Sequence, residues 1–170
     1  MDKDDRKKEL FANAMSNLTK NKLGISLDLL NEIIDTDSDD KLALLARGSV
    51  YLKMGNTENA IGDYSRTLEI DAKHPKAFHL RGLAREMAGD DDEALKDFNK
   101  AIEIDSEYGA AYYSRASLLT KMGREDSALE DMKMVSQISN HNIESFANEN
   151  NLWRSRHLQM ENMMESEMQR

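Results

Sequence analysis

Gly55, Gly89 and Gly123 stand 34 residues apart, and the text between them says nearly the same thing twice. "GNTENAIGDYSRTLEIDAKHPKAFHLRGLAREMAG" runs from Gly55 to Gly89, and "GDDDEALKDFNKAIEIDSEYGAAYYSRASLLTKMG" from Gly89 to Gly123. A fixed period of this length marks a supersecondary unit that buries its apolar face only against neighbouring copies. Shifting the chain by 34 brings Asn21 into register with the glycines. Ser26, Ala60, Ala94 and Ala128 then form one small column, and Ala14, Gly48, Gly82 and Ala116 another. Leu30, Tyr64, Phe98 and Met132 form a large column, Ile33, Thr67, Ala101 and Val135 a medium one, and Asp37, Asp71 and Asp105 close the first three units. The units span about 7–40, 41–74, 75–108 and 109–142.

Each unit reads as two amphipathic helices. In the third, Phe78, Gly82 and Arg85, then Ala94, Phe98 and Ala101, recur at helical spacing. Gly89 between them suits the left-handed conformation that ends a helix. The acidic "GDDDEAL" complements the positive end of the next helix, and Pro75 sits where a first helix tolerates proline. Gly82 and Ala94 allow two backbones to approach, with Phe98 filling the space beside them.

With a small residue at the eighth position and alanine at the twentieth of a 34-residue unit, the pattern resembles the tetratricopeptide repeat family over about 7–142. The eleventh-position tyrosine of that family is met by Tyr51 but not by Arg85 or Leu119, and Ala72 and Ser106 stand where its final proline would be. The resemblance implies an all-α, right-handed superhelical solenoid of four antiparallel helix pairs. Residues 143–170 are then expected to form a capping helix, with Ile143, Phe146, Leu152, Trp153 and Leu158 as its apolar stripe, and a methionine-rich tail. Phe146, Trp153 and Met160 recur at sevens, with Met164 four further on. This pattern opens the alternative of self-association through the C-terminal helix.

Composition narrows the function. A net charge of −9 argues against a nucleic-acid partner, because phosphates need a basic surface. With no cysteine, no disulfide or thiolate site is expected. No apolar run long enough to span a membrane occurs, and "MDKDDRKKELFANAM" has no signal-peptide character, which together lead to the expectation of a cytoplasmic protein. "DTDSDDK" from Asp35 begins like a calcium loop, but Asp40 and Ala46 stand where glycine and glutamate are required. The four histidines lack metal-ligand spacing, and no catalytic constellation is present. The expectation is no cofactor, no metal and no enzyme.

Two residue sets stand out. Arg47, Arg81 and Arg115 share a column of the first helices, and Asp63, Asp97 and Asp131 share one of the second helices. In the first unit both change together, to Asn13 and Leu29. A partly buried arginine needs a counter-charge, so a structural ladder of Arg–Asp pairs is expected. Second, the first helices should line a concave surface. The face opposite the packed columns there carries Leu45, Ser49, His79, Leu83, Tyr113 and Ser117, with Phe11 and Met15 in the first unit and Lys76, Lys121, Lys53 and Met87 at the flanks. An apolar and aromatic lining with scattered cations suits a peptide or helix of a partner protein. Some members of the family clamp the C-terminal carboxylates of heat-shock chaperones. Of the positions that would carry that clamp here, only Lys76 matches, which argues against such a tail as ligand. The functional expectation is an adaptor or assembly scaffold. The alternative is a chaperone-like holder of one dedicated client, of the kind that serves secretion systems.

Overall fold

Every first helix in the chain stops at the same chemistry. Asn21, Gly55, Gly89 and Gly123 adopt positive φ (57°, 77°, 90° and 74°). The amide after each reaches back to the carbonyl five residues earlier: Lys22 to Asn17 at 2.8 Å, Asn56 to Tyr51 at 2.9 Å, Asp90 to Arg85 at 2.9 Å and Arg124 to Leu119 at 2.8 Å. This bond satisfies one of the last carbonyls of the helix and turns the chain back on itself, and a left-handed residue makes it possible. Glycine adopts that conformation without steric cost.

In the computed structural model, backbone is described for residues 2–149 and side chains for residues 2–142. Among these residues eight helices follow one another: α1 (Lys3–Thr19), α2 (Leu23–Thr36), α3 (Lys41–Lys53), α4 (Thr57–Ile70), α5 (Pro75–Ala88), α6 (Asp91–Ile104), α7 (Gly109–Lys121) and α8 (Glu125–Glu149). Among the described residues there is no strand. Each odd-numbered helix packs on the even-numbered helix after it, and each even-numbered helix on the next odd one, which makes an all-α solenoid of helix pairs.

Starts and stops between units are equally regular. Asp40 and Asn56 cap α3 and α4 by accepting from the amides of Ala43 and Asn59, and His74 accepts from Ala77 through Nδ1, with Pro75 next in the chain. The second helices end at Asp37, Asp71 and Asp105, whose carboxylates accept from the amides two residues on. Such Asx turns compete with the helix and break it. In the fourth unit Ser139 occupies that column, the aspartate turn is missing, and α8 continues to Glu149, 25 residues against 14 in α2, α4 and α6. The boundary expected at 142–143 therefore falls inside one helix. The apolar positions expected in a cap or pairing helix (Ile143, Phe146, Leu152, Trp153, Leu158, Met160, Met164) and the methionine-rich tail lie outside the residues with described side chains.

Within a pair, small faces large. A Cβ on Gly48 would sit 2.5 Å from Tyr64 Cε1, and one on Gly82 would sit 2.6 Å from Phe98 Cε1. Tyr64 and Phe98 are fully buried. The units with alanine in the glycine column carry the non-aromatic Leu30 and Met132 opposite it. Ser26, the exception in the alanine column, is buried and donates its hydroxyl to the Ala14 carbonyl at 2.9 Å, which satisfies the one polar group this substitution introduces.

Candidate interaction groove

The arginine column closes each pair. Arg47 donates Nε and Nη2 to Asp63 at 2.9 and 2.7 Å; Arg81 reaches Asp97 at 2.9 and 2.8 Å; Arg115 reaches Asp131 at 2.8 and 2.6 Å. All three aspartates are buried, and the planar guanidinium matches both carboxylate oxygens at once. The remaining nitrogen points the other way along the chain. Nη1 of Arg47, Arg81 and Arg115 donates to Asn31 (2.9 Å), Ser65 (3.2 Å) and Asn99 (2.7 Å) on the second helix of the preceding unit. Each guanidinium also lies 5.4–5.8 Å from the ring centre of Tyr51, Phe78 or Tyr112. The aspartate hydrogen bonds hold the Arg47 and Arg115 pKa values above the ordinary arginine value. Every acceptor is internal, so the groups as arranged serve the seams between helices. The Asn31, Ser65 and Asn99 column was missed in the sequence. Its signal is a hydrogen-bonding residue 16 before each arginine, the mirror of the aspartate 16 after.

A second rung links unit ends: Lys41 donates to Asp71 at 2.8 Å, and Lys7 to Asp37 at 3.1 Å and also to Asp40. Lys7 and Asp37 are about half exposed and their pair contributes little, whereas the Asp40 side chain is buried.

The first helices touch one another (α1 with α3, α3 with α5, α5 with α7), whereas no two second helices are in contact among the described residues. The side lined by the first helices is therefore the tighter, inner curve. Of the residues expected on it, Lys76, Tyr113, Ser117 and Lys121 are open to solvent, Tyr113 at 59% of its surface. Lys121 is held by Asp91 at 2.8 Å. Leu83 and Ser49 are half-buried, and the Ser49 hydroxyl is taken up by the Leu45 carbonyl and Tyr64 hydroxyl.

Leu45 and His79 do not lie open on this face: both are buried. Leu45 packs with Tyr64 and Ala77 at the seam between the second and third units. The His79 ring is covered from two sides. Its Nε2 meets Ser114 Oγ on α7 at 2.9 Å and its Nδ1 meets the Tyr108 hydroxyl at 3.3 Å, with the Tyr108 ring edge-on at 5.3 Å. Both partners belong to later turns of chain, which is why spacing along α5 alone mislaid this residue.

Burial pushes the His79 pKa from 6.5 down to about 4. The unfolded chain takes up a proton near pH 6.5, while the folded chain resists until about pH 4, so the stability from the neutral ring is complete above 6.5 and declines as pH falls through that window. Between pH 7 and 4.5 the wild type is expected to lose roughly 2 kcal/mol more than His79→Gln, measured by urea unfolding at both pH values. Equal losses would refute the assignment.

The open part of the inner face carries Leu42 and Met87, 64% and 59% exposed, as well as Tyr113. Leu42 was not singled out in the sequence although it occupies the column of Lys76. Near it Phe11, Ala12, Ile33 and Leu42, with Asp4, Lys7, Lys8 and Asp40 among them, line a shallow, mainly apolar pocket of about 330 Å³. Lys8, Lys53 and Lys76 are exposed and have no carboxylate within ion-pair distance among the described residues. The half-buried Glu86, whose pKa burial raises, faces the opposing charge of Lys121. No described helix is long and apolar enough to cross a membrane.

Comparison with known proteins agrees with this architecture. The tetratricopeptide repeat family model matches residues 39–107. No curated protein matches the sequence. Among solved structures, MamA from Desulfovibrio magneticus RS-1 superposes with a TM-score of 0.71 at 14% identity, covering 79% of this chain and 76% of that one. A further MamA protein gives 0.69 at 21% identity over 79% and 74%. The first repeat domain of Spaghetti (RPAP3), solved with the HSP90 peptide SRMEEVD, gives 0.66 at 18% identity over 70% and 94%. At these identities the likeness is one of fold.

Proposed function

We propose that this chain, a tetratricopeptide repeat protein by its matched central units and by its fold, is a non-catalytic interaction module that holds a segment of a partner protein along its inner curve, as an adaptor or assembly scaffold. The carrying observation is the presence of exposed Leu42, Met87 and Tyr113 together with Lys8, Lys53 and Lys76, which have no carboxylate partner among the described residues, in a chain whose net charge is −9. Solvent-exposed apolar side chains in a curved face gain most from a ligand that covers them. Cations there, against the sign of the whole molecule, favour a segment that carries carboxylates between its apolar anchors. A peptide bound by a structural relative fits this mode of use. The same apolar row would also serve a holder that hides one client's apolar segment.

The test is recovery of partners from native lysate with wild type and with Leu42→Glu, Lys76→Glu and Tyr113→Ala combined. All three side chains are exposed, so the variant keeps its circular dichroism and melting temperature. The groove partner is expected to drop about tenfold or more. Equal recovery by both baits would move the site off this face. A holder differs from an adaptor in that its partner is insoluble when expressed alone.

A further inference from the structure

The two ends of the solenoid are built differently. At the N-terminal end, the positions that in later units face the preceding pair have become polar. Glu9 is exposed where Ala43, Ala77 and Ala111 are fully buried, and Ser16 stands where Val50, Ala84 and Leu118 are fully buried. At the C-terminal end the replacement is partial: Ser136 stands in the column of Leu68 and Lys133 in that of Asn31, Ser65 and Asn99, but the large apolar positions are kept. Leu30, Tyr64 and Phe98 are fully covered, yet their counterpart Met132 is 43% exposed. Leu129 is 58% exposed, and Val135 is half-buried where Ile33, Thr67 and Ala101 are fully buried or nearly so. The helix that covers this face in the other three units, the first of the next pair, has no equivalent among the described residues.

We infer that the exposed face of α8 around Leu129, Met132 and Val135 is the interface of a two-fold homodimer, independent of the groove. Head-to-tail stacking of copies would press this apolar face onto the polar Glu9–Ser16 end, which offers it nothing. A two-fold arrangement instead sets the patch against itself, so the apolar surface complements its own copy. Charge selects the antiparallel orientation. The first turns of α8 carry exposed Glu125, Asp126 and Glu130, Lys133 follows Met132, and Met134 to Asn142 contains no Asp, Glu, Lys or Arg. Antiparallel packing centred on Met132 lays the acidic turns of one copy along the uncharged run of the other; parallel packing would oppose like charges. The extension of α8 to Glu149 lengthens the available overlap by about 16 Å beyond the end of an ordinary second helix.

The experiment uses the full chain, in sedimentation equilibrium and in site-specific cross-linking. The natural sequence has no cysteine, so Met132→Cys reports one position. Wild type is expected to sediment as a dimer, and Leu129→Glu with Met132→Glu to weaken association roughly a hundredfold. Both residues are exposed in the single chain, so its melting temperature extrapolated to low concentration stays unchanged. Under mild oxidation Met132→Cys is expected to form a covalent dimer, and Glu103→Cys, on the exposed side of α6, is not. A monomeric wild type, a dimer indifferent to the two glutamates, or equal cross-linking at 132 and 103 would each overturn the proposal. The first of these would hand the face to residues 150–170 or to another protein.

Discussion

Asp97→Ala is expected to cost about 3–5 kcal/mol of folding stability, because it removes a buried carboxylate that two arginines share. Asp97 is only 3% exposed and accepts from Nε and Nη2 of Arg81 and from Nη1 of Arg85 at 2.7 Å. Without it Arg81 stays largely beneath the surface with no opposite charge and Arg85 keeps only the longer contact to Glu93 at 3.6 Å, so desolvation outweighs what remains. Urea unfolding against wild type measures the loss. Glu103→Ala is the matched control: its partner Lys100 is close (2.8 Å), but both side chains are well exposed, so its loss stays within about 0.5 kcal/mol. If the two substitutions cost the same, the arginine column has no structural role of the kind described.

Phe98→Ala is expected to cost about 3–5 kcal/mol through the cavity it opens, and it should reverse the effect of a second substitution. In the wild type, Gly82→Ala forces a methyl to 2.6 Å from the Phe98 ring, at a cost of about 1–3 kcal/mol for overpacking. With Phe98 shortened, the same methyl enters empty space and the helix gains about 1 kcal/mol of backbone preference. Gly82→Ala therefore destabilises one background and stabilises the other. A double-mutant cycle by thermal or urea unfolding reads the change of sign, and the same sign in both backgrounds would show that the two residues do not share the space.

What the chain revealed in advance followed from its period. A column of glycines 34 apart places turns, and columns of small and large residues place the contact between paired helices, because each position meets the same environment in every copy. The covariation of Arg47, Arg81 and Arg115 with Asp63, Asp97 and Asp131 was visible for the same reason. The individual site residues were harder to place, since they depend on contacts between copies that differ. His79 and Tyr113 share a column, yet Tyr108 and Ser114 cover His79, while no described unit follows the fourth to cover Tyr113. The run of α8 past residue 142 was legible at one position only, the missing aspartate at Ser139.

The two-way reach of each arginine has a consequence for how such a chain grows. Every unit from the second to the fourth presents a guanidinium to the one before it, and each of the first three offers an amide or hydroxyl acceptor to the one after. A duplicated copy of residues 75–108, inserted behind the original, would arrive with both halves of its joints already made. The polar end and the apolar end would be untouched, and the inner curve would lengthen by one helix. The architecture is thus a ruler with a fixed graduation, in which the length of the inner curve changes by recombination of whole units and each increment leaves the existing seams closed.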